Sequence, residues 1–234
     1  MKSAKSEQRD LACEFCMELN SDRTSRFAAI YSGVLATRVV DQQGMFRAMP
    51  TLGQILEGSM LVLPVEHYET FADIPYTEEL ALLEIIQRVS AIISSVGHVI
   101  GFEHGARCRD QWSCGIYHAH LHLVPVPDEL VVSDVLPPGY EHASSLPAAL
   151  HSLRGHEGYL LMTDVHGNVA YLRAERAPSF ILRSQWFRQF LVNRYRPCNP
   201  WAWQEYTEPE DLLIRTVFRF GMTSRCESKS VLAG

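Results

Sequence analysis

Three histidines stand at alternate positions in one short stretch of this sequence, HAHLHLVPV at residues 118–126. In a β-strand, successive side chains point to opposite faces, so His118, His120 and His122 would share one face, with about 6.6 Å between neighbours. In a helix, the same side chains would spread over about 200° and share no face. The apolar residues between them would occupy the opposite face and pack inward. The pattern therefore predicts a strand over residues 116–124, with a line of imidazoles on one side.

Such a line of imidazoles indicates a polar functional site. Burying bare imidazoles costs free energy unless each has a hydrogen-bond partner, so the line should face a metal, an anion or a hydrogen-bond network. A solvent-facing strand is the alternative. Two chemistries are open: the three histidines bind a catalytic zinc that activates water, or the central histidine attacks phosphorus while its neighbours orient it. A neutral imidazole is a competent nucleophile near pH 7, because its ordinary pKa is about 6.5.

Two of the six cysteines, Cys13 and Cys16, form a Cys-x-x-Cys pair near the start of the chain. Such a pair is typical of a zinc knuckle, and a redox pair is the alternative. A zinc ion held by two thiolates needs two further ligands, and the chain offers ten histidines as candidates. In a reducing compartment the other cysteines are expected to be thiols rather than disulfides.

The composition indicates a globular protein. Its 234 residues suffice for one substantial core or two small ones, and 47% of them are hydrophobic. The formal net charge of -6 argues against a broad nucleic-acid surface, so we expect no nucleic-acid partner. No apolar run reaches the roughly 18 residues of a membrane-spanning helix, and the polar N-terminus lacks the apolar segment of a signal peptide. We therefore expect a soluble, cytoplasmic protein without a membrane partner.

Turn formers and apolar periodicity divide the first half into strands and one clear helix. The helix is predicted over residues 77–97, with Thr77 as its N-cap and Gly97 at its end. Its apolar positions recur at helical spacing: Leu80, Leu83, Ile86, Val89, Ile93 and Val96. Residues 26–40 are rich in β-formers. Further strands are predicted at residues 45–49 after a turn at 41–44, at 58–64 ending with Pro64, and at 98–103.

The second half of the chain has a different sequence pattern from the first and is predicted to be an α/β extension. This divides the chain into domains at residues 1–130 and 131–234. A glycine-centred turn between two apolar runs predicts a hairpin, which is followed by two helices and an aromatic loop. Their predicted bounds are residues 159–163 and 168–172 for the hairpin, 182–195 and 211–220 for the helices, and 199–203 for the loop. Frayed ends are predicted at residues 1–12 and 222–234.

The histidine line, the cysteine pair and a third segment, GSMLVLPVEH at residues 58–67, occur in the order found in the histidine-triad family. HAHLHLVPV resembles the family's His-x-His-x-His signature, and the cysteine pair resembles the zinc-binding pair of many bacterial members. The third segment is similar to the strand and turn that precede the family's helix, and residues 77–97 stand where that helix belongs. The resemblance covers residues 13–127, a little over half of the chain.

The resemblance implies an α+β fold, with an antiparallel five-stranded sheet and one long helix packed on it, followed here by the C-terminal α/β extension. It also implies a homodimer and a nucleotide substrate. Family members cleave or transfer nucleotides at the α-phosphate through a nucleotidyl-histidine, whose nucleophile corresponds to His120. His118 and His122 flank this residue, and His122 takes the role of contacting the phosphate or the leaving group.

The resemblance further implies a structural zinc ion. In zinc-bearing members the metal is held by the cysteine pair, the histidine of the Pro-x-x-His segment and the first triad histidine. These correspond to Cys13, Cys16, His67 and His118. Four protein ligands leave no open position, so this zinc would be structural rather than Lewis-acidic. It would fix His118 and, through the strand, the direction of His120.

Departures from the family pattern bear on the substrate. Ser59 stands where many members have a further histidine, and Ser113-Cys114-Gly115 replaces the usual Gly-Gln-Ser stretch before the triad. The amides near Ser113 and Gly115 are candidates for contacting the phosphate, and Ser59 is a further candidate for contacting the substrate. Arg107, in a long loop before the triad, is a candidate phosphate clamp, and a solvated loop is the alternative.

Further residues bear on substrate binding, and most of them have two interpretations. Thr51 falls at the place of the acidic residue that binds ribose hydroxyls in many members. Trp201 or Trp203 stacks on a base or, as we favour, packs against the core. Arg188 contacts a phosphate or lies on a solvated helix face. His104 joins the site or, as is more typical for a lone loop histidine, is incidental.

We therefore expect a nucleotide hydrolase or nucleotidyltransferase of the phosphoramidase or dinucleoside polyphosphate hydrolase kind, acting through His120. Two alternatives stay open: a non-catalytic, zinc-stapled module that binds nucleotides or RNA, and a hydrolase whose three histidines hold a catalytic zinc. A Cys13→Ser variant separates the last from our interpretation, because a three-histidine site retains its zinc without that thiolate.

Overall fold

One antiparallel sheet, eight strands wide in the described residues, carries helices on both faces. The computed structural model describes residues 13–107, 115–181 and 183–230. The strand order across the sheet is β1-β2-β3-β5-β4-β7-β8-β6. The strands are β1 (Asp41–Gln43), β2 (Phe46–Pro50), β3 (Met60–Pro64), β4 (His98–Ala106), β5 (Leu121–Val126), β6 (Glu141–Ala143), β7 (Gly158–Thr163) and β8 (Val169–Arg173). The helices are α1 (Glu14–Leu19), α2 (Arg26–Tyr31), α3 (Glu79–Ile93), α4 (Val132–Val135), α5 (Leu146–Leu153), α6 (Trp186–Tyr195) and α7 (Asp211–Ser230).

This architecture confirms the predicted α+β class with an antiparallel sheet. The sheet is wider than the five predicted strands, because the second half of the chain supplies β6, β7 and β8. Strand β7 pairs with β4 from Gly101↔Thr163 to Ala106↔Gly158 and so satisfies backbone groups that β4 would otherwise leave open. The extension thus continues the sheet, and the domain boundary at residue 130 stays a prediction.

Two hairpins form, of which the second is the predicted one; in the first, residues 41–43 are predicted as part of a turn and instead form strand β1. The first joins β1 to β2 through Gly44, which adopts the left-handed conformation with a φ of 52°. The second joins β7 to β8. All five residues of β3 are buried, and β3 ends at Pro64 as predicted. Helix α6 begins four residues after the predicted start at residue 182, and α7 continues to Ser230. The predicted loose tail at residues 1–12 lies outside the described residues.

The helix predicted over residues 77–97 is α3, which is shorter at both ends. Glu78 rather than Thr77 occupies the N-cap position, because a 3₁₀ turn precedes the helix. Its buried residues are Leu82, Ile85, Val89 and Ile93. Leu80 and Leu83 of the predicted stripe are 69% and 40% exposed, since this helix is apolar on more than one side and periodicity alone does not define its inward face. No helix in the described part of the chain has the length and apolarity to span a bilayer.

Two further predictions differ from the structure. Residues 26–40 contain helix α2, because Ser25 caps it by accepting a hydrogen bond from the Ala28 amide. The regular pairing of the histidine strand extends from Leu121 to Val126, so it starts after the first two triad histidines. Those two histidines precede β5 in an irregular segment, which leaves their backbone groups available for local contacts.

The two faces of the sheet carry different side chains, as the alternation in the triad strand predicts. On the first face, Leu121 and Leu123 are buried in a core with the inward residues of α3 and α5. On the second face, Phe102 of β4 and Phe187 of α6 belong to a separate core. His122 lies on this second face, in contact with Phe102. The imidazoles therefore face the side of the sheet that helix α6 covers.

Glu103, near the middle of β4, is a buried carboxyl group below the first face of the sheet. Its Oε1 accepts a hydrogen bond from the Phe71 amide at 2.9 Å, and its Oε2 lies 2.6 Å from the Tyr159 hydroxyl. Burial raises the pKa of Glu103 to about 8, and these two hydrogen bonds only partly oppose it.

The free energy of unfolding is expected to depend on pH through Glu103. Its pKa is raised from 4.5 to about 8 by folding, so its contribution is fully present below the first value and is lost as pH rises through the second. The expected fall is at most about 1.4 kcal/mol per pH unit for this one proton. Urea unfolding at pH 5, 6, 7 and 8 should show the advantage of the parent over Glu103→Gln shrinking as pH rises. A difference that stays constant over this range contradicts the prediction.

Candidate active site and metal cluster

An open cavity of about 680 Å³ lies on the second face of the sheet, where α1, the triad segment and α6 approach one another. Side chains from both halves of the chain form its walls. Those that bear on its chemistry are Arg38, His104, His120, His122, Arg188 and Trp203. The cavity therefore brings two of the three triad histidines together with cationic and aromatic residues.

His118 faces away from this cavity, toward the cysteine pair. Its Nε2 lies 2.8 Å from the Pro64 carbonyl oxygen, which only accepts, so Nε2 carries the proton and Nδ1 carries the lone pair. Nδ1 lies 3.5 Å from the Sγ atoms of both Cys13 and Cys16. The predicted line of three imidazoles is thus divided, with His118 on the metal side and the other two on the cavity side.

Cys13, Cys16, His67 and His118 form a compact group whose four ligand atoms all lie within 4.8 Å of one another. The His67 Nδ1 is 3.3 Å from Cys16 Sγ. A tetrahedral Zn²⁺ with ordinary bond lengths places its sulfur and nitrogen ligands about 3.6 Å apart, so the donor set and its spacing fit this ion. A hydrogen bond with Cys16, helped by both histidines and opposed by burial, lowers the pKa of Cys13 to about 2. The thiolate that a metal requires is therefore available.

The helix α1 explains why the two cysteines meet. Cys13 stands at its N-cap and Cys16 in its first turn, so the spacing of three residues puts both sulfurs on one side. Phe15, between them, contacts the rings of His118 and His120 edge-on, with centroids 5.7 and 5.3 Å apart. The cysteine turn thus touches both the metal side and the cavity side of the triad.

His120 has one fixed ring nitrogen. Its Nδ1 lies 2.6 Å from the His118 carbonyl oxygen, so Nδ1 is the protonated nitrogen and Nε2 carries the lone pair. Burial lowers the pKa of His120 to about 4, so the ring is neutral at pH 7. His120 therefore has an unprotonated Nε2 on a neutral imidazole at the wall of the cavity, which is the form that can act as a nucleophile.

His122 is held by a stack of three rings. In the sheet it pairs with Phe102 of β4 and with Leu61 of β3. Its ring stacks on Phe102 with centroids 4.5 Å apart, and Phe102 stacks on Phe187 at 4.6 Å. The ring centroid of His122 is 5.2 Å from that of His120. Because Phe187 belongs to α6, the C-terminal extension helps to orient the triad.

His104 also lines the cavity, which the sequence interpretation set aside. It lies on β4 two residues after Phe102, so both side chains point to the second face. Its Nδ1 is buried and has no hydrogen-bond partner in the residues that the structure describes, and burial lowers the pKa of His104 to about 4. Strand β4 extends to Ala106, beyond the predicted end at residue 103, and this longer alternation is the signal that identifies His104.

Arg38 and Glu18 form a buried ion pair on another wall of the cavity. The Arg38 Nε and Nη2 atoms each donate to one Glu18 oxygen at 2.7 Å, and Nη1 donates to the Pro50 carbonyl. Glu14 holds the neighbouring helix by accepting from the Arg26 amide at 2.9 Å. Sequence reasoning missed these residues, because no motif connects them.

The residues predicted to contact the substrate lie in different places in the structure. Gly115 lies beside Gln185 and Trp203, where a Cβ would be 3.3 and 3.4 Å from their nitrogens. Ser59 is fully buried and donates to the Leu56 carbonyl at 2.7 Å, away from the cavity lining. Ser113 lies outside the described residues.

The remaining sequence-predicted residues divide between the cavity and its surroundings. Thr51 and Trp203 line the cavity, whereas Trp201 packs against the core of the second face. Arg107 forms an ion pair with Asp73 and is not part of the cavity lining. Its role as a phosphate clamp therefore has no support in this geometry and stays a prediction.

No model of a protein family and no curated protein matches this chain. Solved structures do match. A hypothetical histidine triad nucleotide-binding protein from Sulfolobus tokodaii is 22% identical, over 50% of this chain and 70% of that chain, with a TM-score of 0.36. A Zn-bound histidine triad family protein from Mycobacterium smegmatis is 17% identical, over 51% of this chain and 78% of that chain, with a TM-score of 0.38.

A HIT family hydrolase from Clostridium thermocellum is 16% identical, over 51% of this chain and 94% of that chain, with a TM-score of 0.33. All three are histidine-triad proteins at low sequence identity. The roles of individual residues in this chain are therefore inferred from their own geometry. Over about half of its length, this chain matches solved structures of histidine-triad proteins, at TM-scores of 0.33 to 0.38.

Proposed function

We propose that this protein is a nucleotide hydrolase or nucleotidyltransferase that acts at the α-phosphate through a nucleotidyl-His120 intermediate. One observation carries the proposal: the His118 carbonyl holds the Nδ1 proton of His120, so the Nε2 lone pair is available at the cavity. A neutral, oriented imidazole is a competent nucleophile toward phosphorus. In His118 the proton is on Nε2, which faces the Pro64 carbonyl, and the lone pair is on Nδ1, which faces the cysteine sulfurs.

In the first step, His120 Nε2 attacks the α-phosphorus. A P–N bond forms, and the bond between phosphorus and the leaving group breaks, with its electron pair departing on that group. In the second step, water or another hydroxyl compound attacks phosphorus and loses its proton to solvent, and the P–N bond breaks. His120 is thereby restored as a neutral ring with its proton still on Nδ1.

Two neighbours stabilise charge along this path. While phosphorus is attached to Nε2, the His120 ring carries positive charge, and the His118 carbonyl that accepts from Nδ1 stabilises it. His122 offers a ring N–H to a phosphoryl oxygen or to the leaving group, from a position fixed by its stack on Phe102. Both groups are oriented before the substrate arrives, so little reorganisation is needed.

We further propose that Cys13, Cys16, His67 and His118 hold a structural Zn²⁺. With four protein ligands the ion has no open position and supplies rigidity rather than Lewis acidity. His118 connects this cluster to the nucleophile, because its ring faces the sulfurs and its own carbonyl accepts from His120. A rigid cluster would therefore also fix the direction in which His120 Nε2 points.

The partner that this proposal requires is a nucleotide. The homodimer implied by the sequence stays a prediction. The outermost strands of the sheet, β1 and β6, have three residues each, so pairing between sheet edges would add few hydrogen bonds to a dimer.

The test is to trap the covalent intermediate. The protein is mixed with nucleoside 5′-phosphoramidates or dinucleoside polyphosphates, quenched in alkali, in which phosphohistidine-type bonds survive, and weighed intact. We expect an added mass of one nucleotidyl group, assigned to His120 by peptide mapping and absent from His120→Ala. An adduct on another residue overturns the mechanism. Nucleotide binding without turnover in both proteins indicates the non-catalytic module instead.

A further inference from the structure

The C-terminal extension contributes polar groups to the cavity, not only support. Helix α6 approaches the cavity with its N-terminal end, and Gln185 before it adopts the left-handed conformation with a φ of 56°. The extension residues on the cavity wall are Gln185, Phe187, Arg188 and Trp203. Phe187 is explained by the ring stack that orients His122. The other three need a different explanation.

Arg188 is a buried cation without an anionic partner in the described part of the chain. The residue is 5% exposed. Its Nε donates to the Trp201 carbonyl at 3.0 Å and its Nη2 to the Gly53 carbonyl at 2.8 Å, so two neutral acceptors fix one edge of the guanidinium. Burial lowers the pKa of Arg188 to about 10, which leaves it charged at pH 7. The charges of Tyr206 and Glu210 oppose this shift only in part, and a buried guanidinium held by neutral acceptors is costly, so an anion in the cavity is expected to pair with it.

The carboxylate of Glu210, whose charge acts on Arg188, is already engaged by backbone amides. Glu210 accepts from the Gly53 amide at 2.7 Å and from the Gln54 amide at 2.9 Å. It forms no ion pair with Arg188 within the described residues. The backbone at Gly53 is closely approached from the other side as well, since a Cβ there would lie 2.9 Å from Arg188 Nη2 and 2.7 Å from the Tyr206 ring. Gly53, with a φ of 64°, is thus shaped to hold Arg188 in place.

Two further polar atoms at the same wall have no partner among the described residues. The indole Nε1 of Trp203 and the Oε1 of Gln185 are buried and make no hydrogen bond to that part of the chain. An indole N–H only donates, and a buried donor without an acceptor costs free energy. Within the described residues, the Trp203 N–H thus lacks an acceptor on the same cavity wall on which the Arg188 guanidinium has only neutral acceptors.

This wall belongs to the same cavity as the triad. Arg188, His120 and His122 all line this one cavity. Arg188 is therefore close enough to act on an anion whose neighbouring phosphorus lies at His120. A guanidinium presents a planar fork of donors, which suits phosphate or carboxylate oxygens.

We propose that Arg188, assisted by the Trp203 N–H, forms a second anion subsite that binds a phosphate of the leaving group. This inference rests on the proposed nucleotidyl transfer and names its substrate class: nucleotides whose α-phosphate is joined to a further phosphate, such as dinucleoside polyphosphates. Nucleoside phosphoramidates with a neutral leaving group do not use the subsite. The subsite binds by charge and hydrogen bonds only, and no covalent step occurs there.

The first experiment compares two substrates that share the nucleoside and the α-phosphate. For Arg188→Gln, kcat/KM toward a dinucleoside tetraphosphate is expected to fall 10- to 100-fold, as for the loss of a charge-assisted hydrogen bond. With the 5′-phosphoramidate of the same nucleoside it should change less than threefold. Arg194→Gln is the matched control, because Arg194 is exposed on the same helix and pairs with Asp128. Equal losses on both substrates overturn the proposal, since Arg188 then acts on the α-phosphate.

A second experiment does not depend on turnover. Titration calorimetry with inorganic tripolyphosphate should show binding to the parent and to Arg194→Gln, and at least tenfold weaker binding to Arg188→Gln. Trp203→Phe keeps an aromatic ring but loses the N–H together with part of the indole, and should weaken binding about threefold. Equal tripolyphosphate affinity in the parent and in both cavity variants overturns the subsite. If the parent binds tripolyphosphate through Arg188 but turns over no nucleotide, the subsite stands and the proposed function fails.

Thermal unfolding of each variant separates binding from folding. Arg188→Lys keeps the charge and loses the fork, so it should recover part of the tripolyphosphate affinity that Arg188→Gln loses. If Arg188→Lys and Arg188→Gln bind equally poorly while both unfold like the parent, the planar fork rather than the charge selects the anion, which also supports the proposal. If every Arg188 variant binds as the parent does, the proposal is wrong.

Discussion

Replacing His120 by alanine is expected to lower kcat by about 10⁴-fold or more, which is the range found when a covalent nucleophile is removed from other enzymes. The reason is that no other imidazole in the described cavity has its proton fixed by a backbone carbonyl and its lone pair left free. Initial rates are measured on whichever nucleotide gives the covalent adduct. Zinc content and thermal unfolding are measured on the same samples.

The matched control is His142→Ala, because His142 is an exposed histidine on the edge strand β6. It should keep the activity of the parent. Zinc content should be unchanged in His120→Ala, because His120 is outside the cysteine cluster. Loss of zinc together with activity in His120→Ala would instead favour a catalytic zinc held by the triad. A His120→Ala rate within tenfold of the parent means that the nucleophile is a different group.

The metal cluster is the part of the site that the sequence predicts best. Cys13 and Cys16 are three residues apart in sequence, and their helical spacing alone places the two sulfurs together. His67 and His118 were assigned through resemblance, and the structure brings their Nδ1 atoms to the sulfurs. Local spacing is informative here because only two further fold-level contacts are needed, from α1 to the triad segment and from α1 to His67 after β3.

The triad shows that a period-two pattern alone does not predict the directions of all three imidazoles. Alternation predicts a common face for His118, His120 and His122, but regular pairing begins at Leu121. Before that point the chain is free to turn His118 toward the sulfurs and the Pro64 carbonyl. Tertiary contacts, not strand geometry, therefore decide which imidazole binds metal and which faces the cavity.

The opposite wall could not be predicted from local sequence. Arg188 is 68 residues from His120 along the chain, and nothing in the segment around it distinguishes a buried cation from one on a solvated helix face. Its burial depends on the carbonyls of Gly53 and Trp201, which belong to different segments. The same reasoning applies to β7, whose pairing with β4 is a long-range choice between several apolar strands.

The structural role of the metal gives the second large effect: Cys13→Ser is expected to abolish zinc binding and to lower the free energy of unfolding by several kcal/mol. Structural zinc sites contribute about 10–16 kcal/mol of binding free energy in small zinc-dependent peptides, and a hydroxyl does not replace the thiolate. Cys198→Ser is the control, because Cys198 is exposed and free. Zinc per chain is measured by elemental analysis, and stability by urea unfolding with and without a chelator.

The same variant distinguishes the two roles that zinc can have in this chain. If zinc is structural, chelated parent protein and Cys13→Ser should unfold alike, and both should lose activity because His118 no longer holds the His120 Nδ1 proton in a fixed direction. If three histidines held a catalytic zinc, Cys13→Ser would keep one ion per chain and most of its stability. The separation of His118 from the cavity favours the first outcome, since its lone pair faces the Cys13 and Cys16 sulfurs at 3.5 Å.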